Sequence, residues 1–491
     1  MSGVPAPAGP SLPRWRAFPP LALGVVMAVL DVSVVNIALP TLSRAFHAPL
    51  TVIEWVVVAY GVTITALLLI VGRLADQFGR RRTYAAGLLV FVGASALCAA
   101  ANGAGALIAA RALQGLGAAM LSANATALLV ASFPAEERGR ALGAFGAAVG
   151  VGLAVGTPLG GLVIAHASWR WLFLLNLPLG LLAAWWLRRG VAPDGPGTRA
   201  ATLDLPGAVI WAAALLALML ALSRGPDRGW GSASVWPLFV ASAAALALFG
   251  WRESRARAPL LPIKFVRGPL GVAGLLTLIS QALSIAVGFH MPLYLEGVLG
   301  LSPATSGQWL ATVPLAALLV APASGRLADS LGTRLPSTIG MGLTACGLAC
   351  LSRVGPSLRG PILFGGLALV GVGQGLFAAP NASALLAVVP PPLLGLASGL
   401  QATMRNLGVA SGSAIMAALV ASSYAAHGGG RLSAAAGAGL GAVAAPALTS
   451  ATRDAFLVLT VLAVLATVVC ALLGGAPGRP PGASDGRVGG C

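Results

Sequence analysis

The chain has 491 residues, of which 57% are hydrophobic and only 9% charged, and its mean hydropathy is +0.90. Soluble domains carry about 25% charged residues, so this composition excludes a soluble globular protein and points to the membrane. The formal net charge of +17 does not indicate nucleic acid, because the Lys and Arg residues crowd into alternate loops between apolar runs and form no phosphate-binding groove.

A helix needs about 20 mainly apolar residues to cross the hydrocarbon core. By that rule fourteen spans are predicted, at 19–41, 51–72, 84–103, 105–131, 141–165, 171–187, 206–223, 234–251, 269–290, 304–326, 336–353, 361–388, 396–424 and 454–473. The basic loops belong on the cytoplasmic side, and an even number of spans puts both termini there. The same basicity favours anionic lipid head groups. The first apolar run lacks a small-residue cleavage site, so it reads as a retained span. The Gly/Pro-rich tail 474–491 is expected to be disordered.

Asp31 lies inside the first span, in "LDVSVVNIALP" at 30–40. It is roughly 20 Å from the inner end at 1.5 Å per residue. An acid there costs about 2.5–3.5 kcal/mol on insertion scales, and such residues default to function. Burial disfavours its charged form, which suits a group that takes up and releases protons. A fixed ion pair that packs helices is the alternative. Arg111 in the fourth span is its electrostatic partner; a guanidinium keeps its charge and tunes the acid without carrying the proton. Snorkelling is the other reading of Arg111. Glu54, near the outer end of the second span, either relays protons, attracts cations or is a solvated rim residue.

The string "GRLAD" occurs at 72–76 and again at 325–329, and "QGLGAAMLSANATALL" (114–129) is echoed by "QGLFAAPNASALL" (374–386). The second span thus maps onto the tenth and the fourth onto the twelfth, a shift of eight. The even shift makes the halves parallel repeats about an axis along the membrane normal. The expected organisation is an N-terminal six-helix bundle (1–190), an inserted helix pair with linkers (191–265), a C-terminal six-helix bundle (266–473) and the tail. A substrate cavity is expected between the halves, with Asn36, Tyr60, Gln114, Gln281, His290, Gln308, Asn381 and Arg405 as its polar lining. Trp55, Tyr60, Tyr294 and Trp309 otherwise read as interface-belt aromatics. The fifth span carries a run of glycines that permits close helix approach.

The five cysteines show no metal-ligand spacing and read as packing residues, so neither metal nor cofactor is implied. The four His and few acids form no catalytic cluster, no Walker-type loop indicates ATP use, and no enzyme is expected. With few acids in the spans, lipophilic substrates that are neutral, zwitterionic or singly charged are favoured over multiply charged cations.

Five stretches, "LDVSVVNIALP", "GRLADQFGRRR" (72–82), "RALQGLGAA" (111–119), "GLAVGTPLGG" (152–161) and "WRWLFLLNLPLG" (169–180), resemble motifs of the major facilitator superfamily, in its fourteen-span drug:proton antiporter branch. The resemblance covers essentially the whole chain. It implies an all-α major facilitator fold and export of lipophilic drugs or antibiotics in exchange for protons across the cytoplasmic membrane, by alternating access. Export of a metabolite, siderophore or lipid on the same scaffold is the alternative. It also implies a latch of the outward-facing state built on Gly72, Arg73, Asp76, Gly79 and Arg80, with the copy around Asp329 and Arg334 plainer and weaker. A kinked seal against leak would be formed by Gly152, Gly156, Pro158, Gly160 and Gly161. The sequence departs from the pattern at Gln77, where a basic residue is usual, at Pro158, one place late, and at Glu54, where an amide is usual.

Overall fold

A computed structural model describes residues 14–134, 137–194, 204–256, 259–262, 266, 268–355, 360–429 and 444–473. The tail expected at 474–491 lies outside the described residues. The first half contributes α1 (Phe18–Phe46), α2 (Trp55–Phe78), α3 (Arg80–Ala100), α4 (Ala104–Ser132), α5 (Arg138–His166) and α6 (Asn176–Gly190). The insertion contributes α7 (Leu205–Arg228) and α8 (Trp236–Glu253). The second half contributes α9 (Pro269–Gly297), α10 (Thr312–Leu331), α11 (Arg334–Leu351), α12 (Gly360–Ala387), α13 (Leu394–Ala426) and α14 (Ala445–Leu473).

Each helix overlaps one predicted span, some ending short of it and others running past it, as α14 does by starting at Ala445 rather than 454. The predicted second, sixth and tenth spans are each broken near their start, giving the short helices Leu50–Ile53, Trp171–Leu174 and Pro303–Leu310. Among the described residues, eleven helices are long and apolar enough to cross a membrane. The other three are α5, rich in glycine, and α8 and α11, each 18 residues long and ended by charge or small polar groups. Leu181, Trp185, Leu248, Leu465 and Leu472 are exposed on helix surfaces, as a lipid-facing surface requires.

Within the first half α2 and α3 pack on α4, and α1 packs on α5 and α6; in the second half α10 and α11 pack on α12, and α9 on α13. The halves meet chiefly where α2 crosses α13 and where α5 crosses α10. A shift of eight helices exchanges these two crossings, so they are one contact repeated. Both are made close by glycine. A Cβ on Gly72 would sit 2.3 Å from the Gly395 carbonyl oxygen, and one on Gly325 would sit 2.0 Å from that of Gly139. Larger residues there would push the halves apart.

The inserted helices pair with each other, and α7 lies against α2 and α13. Asp204 caps α7, accepting from the Gly207 N–H at 3.1 Å, and binds Arg252 of α8 at 2.7 Å. That guanidinium holds the Asp204 carboxyl below the usual carboxylate range. Glu253 accepts from the N–H groups of Leu260 and Leu261 at 3.1 and 3.0 Å, and its burial pushes its carboxyl up.

Candidate functional site

Asp31 on α1 is buried in the first half, and every polar atom around its carboxylate is a donor. Arg111 Nη1 on α4 donates to Oδ2, while Gln114 Nε2 and Asn176 Nδ2 donate to Oδ1 at 2.9 and 3.0 Å. Such a set suits the ionised form, because a protonated carboxyl would set its own O–H against one of those donors. Gln114 also accepts from Arg111 at 2.6 Å and donates to Ser95 at 2.9 Å, locking four helices around one charge.

Arg111 is held from several sides. Its Nε donates to the Val56 carbonyl at 3.0 Å, and its guanidinium stacks 4.3 Å from the centre of the Tyr60 ring. Tyr60 is itself fixed by a hydrogen bond to the Ala28 carbonyl at 3.1 Å. A charged pair taken fully out of water is stable only when its remaining donors and acceptors are met. Here Nη2 of Arg111 is buried without a hydrogen-bond partner among the described residues, and the aromatic face compensates in part.

The second half repeats this frame without its charges. Gln374 is the repeat counterpart of Gln114 and exchanges two hydrogen bonds with Ser280 of α9, at 2.8 and 3.0 Å. By the same register Gly371 stands where the first half has Arg111.

A cavity of about 420 Å³ lies between the halves, walled by α5, α9, α10, α12 and α13. Of the residues expected to line it, Gln281, Asn381 and Arg405 do so. Asn381 spends its donors on the Ala273 carbonyl and Thr277 of α9. Tyr60 and Gln114 belong to the Asp31 cluster instead. His290 does not line the cavity, since it is turned into the second half, where it bonds Thr452 at 2.8 Å beside Phe456. Asn36 and Gln308 are exposed and outside it. Tyr294, like Tyr60, is buried rather than in an interface belt, and donates to the Gly355 carbonyl at 2.5 Å. Glu54 is exposed at the break before α2 and is not among the Asp31 partners.

At the end of the molecule that holds both glycine crossings, Asp76 accepts from the N–H groups of Gly395 and Leu396, both at 2.8 Å, and from Arg80 Nε at 2.9 Å. An acid at a helix N-terminus is favoured by the dipole. Gly79 turns the chain with φ 104°, and a Cβ there would meet the Asp194 carboxylate, which caps α3 through Arg81 and Arg82 N–H. Arg73 is half-buried and pairs with no acid among the described residues. The second copy, expected to be plainer, makes the same two bonds: Asp329 accepts from Gly139 and Arg140 N–H at 2.8 and 3.1 Å. It has Thr333 where the first has Arg80. Arg334 is not part of it, and donates to the Ala471 carbonyl of α14.

On α5 the glycines divide by face. A Cβ on Gly152, Gly156 or Gly160 would crowd Val26, Ser33 or Val34 of α1, whereas Gly146 and Gly150 have open space and line the cavity. Gly161 meets nothing and Pro158 is exposed, so these two lie off the packing face.

Sequence reasoning missed Asn176, Ser95, Gln401 and the capping carbonyl Val56. A lone amide or hydroxyl in an apolar helix signals nothing by itself. A further repeat was legible, though: "GRALG" at 139–143 aligns with "GLASG" at 395–399, the two acid-capped helix starts.

Comparison with known proteins agrees with this architecture. The chain is 32% identical over 414 residues to the riboflavin transporter RibZ of Clostridioides difficile, covering 84% of this chain and 89% of that one. It is 32% identical over 414 residues to the tetracenomycin C resistance and export protein of Streptomyces glaucescens, covering 83% and 76%. The human organic anion transporter MFSD10 superposes with a TM-score of 0.66 over 93% of this chain and 99% of its own; at 15% identity this concerns the fold alone. The profile of the Major Facilitator Superfamily matches residues 21–413. With that match over most of its length and relatives above 30% identity, this multi-pass membrane protein belongs to the Major Facilitator Superfamily.

Proposed function

We propose that the protein is a fourteen-span, proton-coupled exporter of small lipophilic compounds in the cytoplasmic membrane, with both termini in the cytoplasm. In this reading α5, α8 and α11 cross the membrane with the other eleven helices. The observation that carries the proposal is the buried Asp31 carboxylate held by Arg111, Gln114 and Asn176 within one half of a chain whose two halves wall a cavity. Protonation of Asp31 would remove the charge that fixes Arg111 and free α1 and α4 to reorganise. A buried ion pair is costly enough that a switch of one partner changes the balance between two conformations.

In this reading the acid-capped crossings at Asp76 and Asp329 hold the halves together on the cytoplasmic side, as an outward-open state ready to exchange substrate for a proton would. The relatives named for drug resistance and export support an exporter, and the riboflavin transporter supports an aromatic or heterocyclic cargo on the same frame. The test is transport in proteoliposomes: an imposed pH gradient should accumulate a lipophilic substrate, and the substrate should accelerate proton flux. Transport that runs only down the substrate gradient and ignores pH would overturn the coupling.

A further inference from the structure

The cavity between the halves carries an uncompensated positive charge. Its wall is largely apolar, with Phe145, Val149, Leu318 and Phe377 among the lining residues, and no Asp or Glu lines it among the described residues. Among the described residues, Arg405 of α13 is the one ionisable side chain in that wall. Among the described residues Arg405 has neither a hydrogen-bond nor an ion-pair partner. A guanidinium does not lose its proton, so the charge stays at every working pH. A charge held in apolar surroundings without a counter-charge is costly.

Two comparisons within the molecule show that this charge is not part of the repeated scaffold. Arg111, the arginine within the fourth span, is neutralised by Asp31 and stacked on Tyr60. In the register that pairs Gly139 with Gly395, Arg405 corresponds to Val149, an apolar residue facing the same cavity. The polar groups near Arg405 are also uncommitted. Gln281, Ser284 and Gln401 line the cavity without protein partners among the described residues, whereas Gln374 and Asn381 are spent on α9. The wall therefore offers a guanidinium fork, two amides and a hydroxyl in an apolar chamber of about 420 Å³, a size suited to a drug-like molecule.

We propose that Arg405 is the charge anchor of the cavity and that the preferred cargo is a lipophilic monoanion, a carboxylate or an acidic enol or phenol on an aromatic body. This rests on the export reading and gives it a substrate class. The fork of the guanidinium matches a carboxylate in two parallel hydrogen bonds, and a single positive charge balances a single negative one. A lipophilic cation would meet like charge with no acid to receive it.

The test is equilibrium binding to the purified full-length protein in nanodiscs of zwitterionic lipid, using naphthalene-2-carboxylate, its methyl ester and (2-naphthylmethyl)trimethylammonium. The carboxylate should bind roughly tenfold or more tightly than the ester, as a charge-assisted hydrogen bond in an apolar site provides. The cation should bind least. Arg405→Gln should erase the preference for the carboxylate while the ester still binds, and Arg405→Lys should restore part of it. Ser284→Asp, which places an acid in the same wall, should reject the carboxylate and spare the ester. Equal binding of carboxylate and ester by the wild type, or an undiminished preference in Arg405→Gln, would overturn the anchor. If the ester is nonetheless accumulated under a pH gradient, the export reading survives that failure. If the carboxylate binds as expected but no pH-driven transport of any probe occurs, the anchor stands and the coupling falls.

Discussion

At the scale of single residues, the Asp31–Arg111 pair was readable because two opposite charges in neighbouring apolar spans have few other places to go. Its surroundings were not, because Asn176 and Ser95 acquire meaning only when α6 and α3 are folded against α1 and α4. Tyr60 shows the same limit: an aromatic near a span end suits a belt or a cavity, and only packing shows it beneath Arg111. His290 was misplaced because helical spacing does not tell which face of α9 meets α14 rather than the cavity. The pair itself predicts an asymmetric mutational pattern. Removing one partner leaves a buried, uncompensated charge, so Arg111→Gln should destabilise by about 3–5 kcal/mol. Asp31→Asn combined with Arg111→Gln should recover much of that loss, because neither charge remains. Thermal unfolding of the purified variants checks this; a double variant no more stable than Arg111→Gln alone would show that the pair is not the source of the cost.

At the scale of helices, the repeated "GRLAD" announced a repeated contact, but not that both copies cap a helix of the opposite half. The first copy read as stronger because it is surrounded by arginines; the structure shows that the backbone N–H groups of α13 and α5 are the shared partners. Asp76→Asn and Asp329→Asn should therefore both shift the resting population toward the inward-open state. A single cysteine at Ser284, in a chain whose five native cysteines are replaced, should be labelled faster from the cytoplasmic side in either variant. An effect of Asp76→Asn alone would restrict the latch to one crossing.

The inserted pair offers a pH test. Asp204 is held below the usual carboxylate range first by its hydrogen bonds to Arg252, so its contribution is present near neutral pH and is lost as pH falls through its lowered value. Asn caps a helix about as well as Asp. Asp204→Asn should thus lower the Tm at pH 7 by removing the ion pair, with the gap to wild type closing in acid. Asp204→Ala, which also loses the cap, should cost about 1 kcal/mol more. A gap independent of pH would mean that the pair with Arg252 contributes nothing.

For the whole molecule, an all-helical membrane fold was legible from a count of apolar runs, since apolar length and loop charge are coarse properties that tolerate loose boundaries; two echoes added the reading of parallel repeats with an inserted pair. What the echoes could not convey is how the halves differ. Across the repeat, the first half pairs Gln114 with an acid and an arginine, while the second pairs Gln374 with Ser280 and places Arg405 in the cavity wall. On the proposed reading, one half would carry the proton and the other the fixed charge that meets the cargo, a division that fits coupling of a proton to a substrate across a rocking interface. The central claim is that Asp31 carries that proton. It is tested most directly by comparing Asp31→Asn with wild type in proteoliposomes, for substrate counterflow at equal pH and for accumulation under an imposed pH gradient. Asp31→Asn should retain counterflow and lose accumulation driven by the gradient; a variant that still concentrates substrate to near the wild-type level would contradict the account.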